Sequence, residues 1–199
     1  MPVNHSNYNP DIQKTMAYDR FKNEDELLKA LLKSKGTYNL YPKVTVIAGE
    51  RVRPDIDLLE IYKEGENQYW TIGYECKLMK FDQRAKALSW EAFYKGIGQA
   101  LCYLRNGVQR AVLILGFHEN ATDDQLLEDF KTKLYAKREF LQQIFGPYLS
   151  IGFILYEGGT PFFVLESKNY FYHSDNEIKL LVDSLLQKKF RFRKPLLQD

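Results

Sequence analysis

Apolar positions along the chain fall into two patterns. One recurs every three or four residues, the other is short, dense and rich in branched side chains. Leu27, Leu28, Leu31 and Leu32 have the helical spacing. Asn23 stands before them as an N-cap, and Glu26, three residues later, completes a capping-box pattern. A helix is predicted there, ended by Gly36. Residues 43–47 and 55–62 alternate partially between apolar and polar, as strands do. After a turn cluster at 63–67, residues 69–78 return as the partner strand of a hairpin. A helix is predicted over about 84–106, stopped by Asn106-Gly107. Residues 110–117 form a continuous apolar run that suits a strand buried on both faces. One long charged helix is predicted over 123–145, broken by Gly146-Pro147. Two short strands at 151–156 and 161–165 and a last helix at 177–190 complete the pattern. The first nineteen residues read as a polar arm.

The helix between the hairpin and the apolar run is a crossover, so an α/β fold is expected, a mixed sheet with helices on both faces. The length, 199 residues, suits one domain, and no repeat or linker divides it. Apolar residues are 45% and charged residues 27%, which is a globular composition. With 28 Lys+Arg against 26 Asp+Glu the formal charge is only +2. A polycationic nucleic-acid coat is excluded, and nucleic acid would have to be met by local patches. Two cysteines exclude a disulfide-dense scaffold and a four-cysteine zinc site. With no bilayer-length apolar run and no secretory pattern at the start, a soluble cytoplasmic protein without membrane contact is the expectation.

The common phosphate-loop, dinucleotide, nucleophile-elbow and zinc-helix motifs are missing, and His5, His118 and His173 are isolated. One constellation remains. Asp55 and Asp57 share one face of the first hairpin strand, and Glu75 and Lys77 share one face of the second. Across an antiparallel pair those faces can coincide, roughly 5 Å apart. Carboxylates so gathered need a cation between them, and all-oxygen donors favour Mg²⁺ or Mn²⁺. A neighbouring lysine would stabilise charge on a phosphoryl group, so the set fits phosphodiester hydrolysis. Surrounding apolar residues, Ile56, Leu58, Ile72, Tyr74 and Leu78, predict burial, where lone charges are costly.

Pro54-Asp55, about twenty residues, then Glu75-Cys76-Lys77 resembles the PD-(D/E)XK nuclease superfamily, with its restriction-endonuclease-like, archaeal Holliday junction resolvase and RecB-like branches. Gln99-Ala100-Leu101-Cys102-Tyr103 matches the Q-x-x-x-Y found in some branches, and Glu24 lies where the family's leading helix carries an acid. The resemblance covers about residues 20–120. It implies a mixed β-sheet flanked by helices in the order αβββαβ, with 121–199 as an α/β extension that could contact DNA or a second subunit. It implies a Mg²⁺- or Mn²⁺-dependent deoxyribonuclease acting on DNA. Asp55 and Glu75 would ligate the metal, with Glu24 as a further acid and Asp57 as the alternative to Asp55. Lys77 would be the catalytic lysine, supported by Gln99 and Tyr103. Lys43, Arg51, Arg53, Lys80, Arg84 and Lys86 would supply phosphate contacts. A junction-resolving activity would require a homodimer. A non-catalytic DNA-binding module on the same fold, a RecB-like exonuclease and a small-molecule phosphoesterase are the other readings.

Overall fold

The structure, a computed structural model, describes residues 18–35, 39–65, 68–155, 159–167 and 169–186. The polar arm up to residue 17 and the basic, Phe-containing segment 188–199 lie outside the described residues. The chain is mixed α/β. Its elements are β1 (Arg20–Phe21), α1 (Glu24–Lys35), β2 (Asn39–Ile47), β3 (Glu50–Glu64), β4 (Gln68–Met79), β5 (Phe81–Asp82), β6 (Ala87–Leu88), α2 (Glu91–Cys102), a 3-10 turn (Tyr103–Asn106), β7 (Arg110–His118), α3 (Asp124–Ala136), α4 (Arg138–Ile144), β8 (Leu149–Phe153), β9 (Phe162–Leu165) and α5 (Asp175–Leu186).

Seven strands form one sheet in the order β2-β3-β4-β7-β8-β9, with β1 paired to the end of β7. The β2-β3-β4 segment is antiparallel, β4, β7 and β8 are parallel, and β9 returns antiparallel on β8. The parallel β4–β7 step is bridged by α2, as the crossover pattern predicted. Alternation then sorts side chains between two layers. Leu27, Leu28, Ala30 and Leu31 of α1 pack against Tyr74, Cys76 and Leu78 of β4 and Val112 and Ile114 of β7. On the other face, Phe93, Ile97 and Ala100 of α2 and Leu127, Phe130 and Leu134 of α3 meet Leu113, Leu115 and Phe117 of β7. Among the described residues, no helix is long and apolar enough to cross a membrane.

The start of α1 follows from its sequence. Asn23 Oδ1 accepts from the Glu26 N–H at 3.0 Å, and Glu26 Oε2 accepts from the Lys22 N–H at 2.8 Å. The far end is pinned by a buried carboxylate. Glu60 is completely buried and accepts from Lys35 Nζ at 3.0 Å, from Tyr62 Oη at 2.5 Å and from Tyr74 Oη. A charge so buried is tolerable because each oxygen is hydrogen-bonded and an ammonium stands beside it.

Two helix predictions need correction. Residues 84–90 are not helical: Asp82 Oδ1 accepts from the N–H groups of Arg84 (2.8 Å) and Ala85 (3.2 Å), and this local turn closes the β5–β6 pair. The helix starts only at Glu91. The long helix over 123–145 is two helices, α3 capped by Asp123 and α4, broken at Lys137. Buried Leu134 and Leu141 lie on either side of the break, so the apolar period runs across it and does not reveal it.

Two glycines of α2, Gly96 and Gly98, behave oppositely. A Cβ on Gly96 would lie 2.6 Å from Leu113 Cδ1 and 2.9 Å from Lys77 Cγ, whereas a Cβ on Gly98 would meet nothing within 4 Å. Gly96→Ala is therefore expected to destabilise by about 1–3 kcal/mol through overpacking. Gly98→Ala should stabilise by up to about 1 kcal/mol through helix propensity. Urea unfolding midpoints of the two variants check the pair, and equal shifts would contradict the close approach of α2 to Lys77.

Candidate active site

The ladder between β3 and β4 has its last pair at Leu58↔Tyr74, while β4 stays paired with β7 as far as Met79↔Phe117. Beyond Leu58 the two strands part, and the Cys76 N–H on the opened side needs another acceptor. Asp57 Oδ2 accepts it at 2.9 Å. The parting of β3 from β4 thus places the Asp57 carboxylate beside the Glu75-Cys76-Lys77 segment. Asp57, Glu75 and Lys77 are 8%, 2% and 7% exposed, which makes them a buried charged cluster and not a surface ion pair.

Lys77 Nζ lies 2.6 Å from Glu75 Oε1 and 3.3 Å from Glu24 Oε1, so the first residue of α1 joins the cluster. The ammonium also donates to the Cys76 carbonyl at 3.2 Å. Tyr103, completely buried at the start of the 3-10 turn, contacts the other Glu75 oxygen, Oε2. Its ring reaches there because Gly73, two residues before Glu75 on the same face, has no side chain: a Cβ would sit 3.0 Å from Tyr103 Cδ2. The same phenol is 3.0 Å from the Asp55 carbonyl oxygen. One O–H serves two acceptors, so the protonation state of Glu75 decides which one it donates to.

The electrostatics follow from burial. Desolvation pushes the Glu75 carboxyl up to about 7, with the Asp57 charge adding to it and Lys77 only partly opposing. Burial works against the Lys77 ammonium, but its hydrogen bond to Glu75 and the charges of Glu75, Glu24 and Asp57 outweigh it and raise its pKa. Burial likewise pushes the Cys76 thiol up, which leaves it an inert core group. An acid raised from 4.5 to about 7 on folding stabilises the fold fully below pH 4.5 and loses that contribution as pH rises through 7. Over that window the metal-free protein is expected to lose up to about 1.4 kcal/mol of stability per pH unit from this group. Glu75→Gln should flatten this segment of a urea-midpoint profile between pH 4.5 and 7. An unchanged slope in the variant would show that Glu75 does not hold its proton in the folded state.

Of the two aspartates left open by the sequence, the structure brings the Asp57 carboxylate to the cluster and leaves Asp55 exposed, represented at the site by its backbone carbonyl. Glu24 and not Glu26 is the α1 acid at the site, since Glu26 is spent on the helix cap. Gln99 is half-buried on α2, and its Oε1 is buried without a hydrogen-bond partner among the described residues. Arg51, Arg53, Lys80, Arg84 and Lys86 are all exposed. Arg51 and Arg53 open β3, and the other three follow the end of β4, so the antiparallel pairing sets both groups at the end of the sheet that holds the cluster. Lys43 is placed differently from a free phosphate contact: Nζ is 2.9 Å from Asp57 Oδ1 and 3.2 Å from Asp25 Oδ1. Asp25 went unnoticed in the sequence. Its only signal was its place beside Glu24 in the first turn of a helix whose N-terminus reaches the strand cluster.

Among the described residues, no group of three or more His, Cys, Asp or Glu side chains stands together as a ready-made metal shell. The donors present nevertheless fit Mg²⁺, which keeps several waters and commonly takes only one or two protein carboxylates. Asp57 and Glu75 are such a pair, both hard oxygen donors at the end of one strand pair. No family model, no curated protein and no solved structure matches this chain.

Proposed function

We propose that this protein is a metal-dependent deoxyribonuclease with a restriction-endonuclease-like core. The observation that carries the reading is the buried Asp57–Glu75–Lys77 cluster at the point where β3 and β4 part. Three charged side chains in such a place cost stability, and a site for chemistry is the physical reason to keep them. Asp57 and Glu75 would hold a Mg²⁺ or Mn²⁺ ion, with Glu24 within reach of the same lysine. When bound, the ion would polarise the phosphodiester and lower the pKa of a water.

The remaining roles belong to the chain itself. Lys77 holds a positive charge next to the carboxylates, where charge builds up on a phosphoryl group. Tyr103 fixes the Glu75 carboxylate from the opposite side. Gln99 offers a buried carbonyl oxygen that has no hydrogen-bond partner among the described residues. The exposed Arg51, Arg53, Lys80, Arg84 and Lys86 supply phosphate contacts along the rim, which positions DNA without reading its sequence. Ion binding needs the ionised Glu75 carboxylate and competes with its proton, so the affinity for Mg²⁺ should rise with pH up to about 7.

The test is cleavage of duplex, single-stranded, flap and four-way-junction DNA with Mg²⁺ and with Mn²⁺, using a Lys77→Ala preparation as control. Metal-dependent cleavage by the parent is expected, and the preferred substrate separates exonuclease, endonuclease and junction-resolving activity. Binding to DNA with no cleavage under either ion would overturn the enzyme reading in favour of a non-catalytic DNA-binding module.

A further inference from the structure

The cluster holds one cation more than this chemistry uses. Glu24, Asp25, Asp57 and Glu75 are met by two ammonium groups, Lys43 and Lys77. Lys77 is buried between Glu75 and Glu24, whereas Lys43 bridges Asp57 and Asp25 with its side chain 48% exposed. The backbone at Lys43 is unusual for a strand. Its φ is +52°, in the left-handed region that residues with a Cβ rarely adopt. The ladder pairs on either side are Pro42↔Leu58 and Val44↔Ile56, so the distortion falls opposite Asp57. Burial works against the Lys43 ammonium, but its bonds to Asp57 and Asp25 outweigh this and hold it firmly protonated.

All four carboxylate oxygens of Asp57 and Glu75 are taken. Asp57 Oδ1 has Lys43 and Oδ2 has the Cys76 N–H, while Glu75 Oε1 has Lys77 and Oε2 has Tyr103. Each oxygen keeps a second lone pair, but an ion on Asp57 Oδ1 would stand beside the Lys43 ammonium, and two cations crowded on one oxygen repel each other. The Cys76 N–H belongs to a paired strand, Tyr103 is completely buried, and the Lys77 side chain is 9% exposed. Of the four, Lys43 is the one able to swing into water.

We propose that Lys43 is the resident counter-ion of Asp57, and that a divalent cation binds this site by displacing it. The step is an exchange of cations. The Lys43–Asp57 pair is made in the metal-free protein and broken in the loaded one. The released ammonium stays at the mouth of the site, where a DNA phosphate replaces Asp57 as its partner. Loading with the ion and capture of the substrate are thereby coupled. The exchange rests on the nuclease reading for the presence of the ion, and the coupling to substrate capture rests on it for the DNA.

Two measurements on the folded, full-length chain test it. Mn²⁺ binding without DNA is followed by isothermal titration for the parent, Lys43→Met and Asp57→Asn. Acetylation of individual lysines is followed by mass spectrometry with and without Mg²⁺. Lys43→Met is expected to bind Mn²⁺ at least tenfold more tightly than the parent, and Asp57→Asn to lose binding. Mg²⁺ is expected to speed acetylation of Lys43 several-fold and to leave that of Lys29, exposed on α1, unchanged. Equal or weaker Mn²⁺ binding by Lys43→Met overturns the exchange, as does Lys43 labelling that Mg²⁺ does not alter. A parent that exchanges Lys43 for the ion yet cleaves no DNA supports the exchange and overturns the nuclease reading. A parent that cleaves DNA with Lys43 labelling unmoved does the reverse. Failure of both parent and variant to bind Mn²⁺ overturns both.

Discussion

Replacing Lys77 by alanine is expected to lower Mg²⁺- or Mn²⁺-dependent DNA cleavage by about 10²–10³-fold, the scale on which one preorganised charge-stabilising group acts. The magnitude follows from where the ammonium sits. Its side chain is 9% exposed, it lies 2.6 Å from Glu75 and 3.3 Å from Glu24, and its stem runs beneath Gly96. Water cannot easily take its place, and Lys43, the other ammonium of the cluster, is engaged with Asp57 and Asp25. Removing it also leaves the buried Glu75 facing Asp57 without its ammonium, which pushes the Glu75 carboxyl higher still and weakens ion binding at pH 7. Lys77→Met keeps most of the stem volume and removes only the charge, so it separates chemistry from packing. Initial rates on the best-cut substrate, with circular dichroism of each variant, make the comparison. Cleavage by Lys77→Ala at the parent rate would remove the lysine from the mechanism.

The second large effect separates the two aspartates. Asp57→Asn is expected to reduce cleavage by at least about 10²-fold, and Asp55→Asn by less than about tenfold. Asp57 is 8% exposed, and its two oxygens face Lys43 and the Cys76 N–H. An asparagine there still accepts from the Cys76 N–H through its carbonyl oxygen, so the strand geometry survives while the charge is lost. The Asp55 side chain is exposed, and what it brings to the site is a backbone carbonyl that any residue would supply. Rates for both variants at saturating Mn²⁺ decide the matter. The reverse order of damage would return the metal-binding role to Asp55.

Much of this architecture is legible in local pattern. The cap of α1, its apolar face, the buried strand at 110–117 and the hairpin before it all rest on interactions within a few residues. That Glu75 and Lys77 share a face follows from strand alternation alone. The helix boundaries around 84–90 and 137 were hidden for a different reason. An aspartate turn and a one-residue break leave the apolar period intact. β1 was hidden by its brevity: two residues, Arg20 and Phe21, carry too little pattern to announce a strand.

By itself the sequence determined which residue types stand on which strand: two aspartates on one, a glutamate and a lysine on the next, and an acid at the head of a helix. Tertiary structure decided which of them meet. Alternation places Asp55 and Asp57 alike, and only the parting of β3 from β4 after the Leu58↔Tyr74 pair turns one carboxylate inward and leaves the other in water. The partnership of Lys43 with Asp57 and Asp25 joins three elements and depends on a left-handed kink that no period encodes. The perturbed Glu75 carboxyl is likewise a property of the assembled layers, because desolvation arises only when α2 and Tyr103 close over the strand. Local spacing is set by bonds along the chain, whereas proximity and dielectric are set by what packs across it.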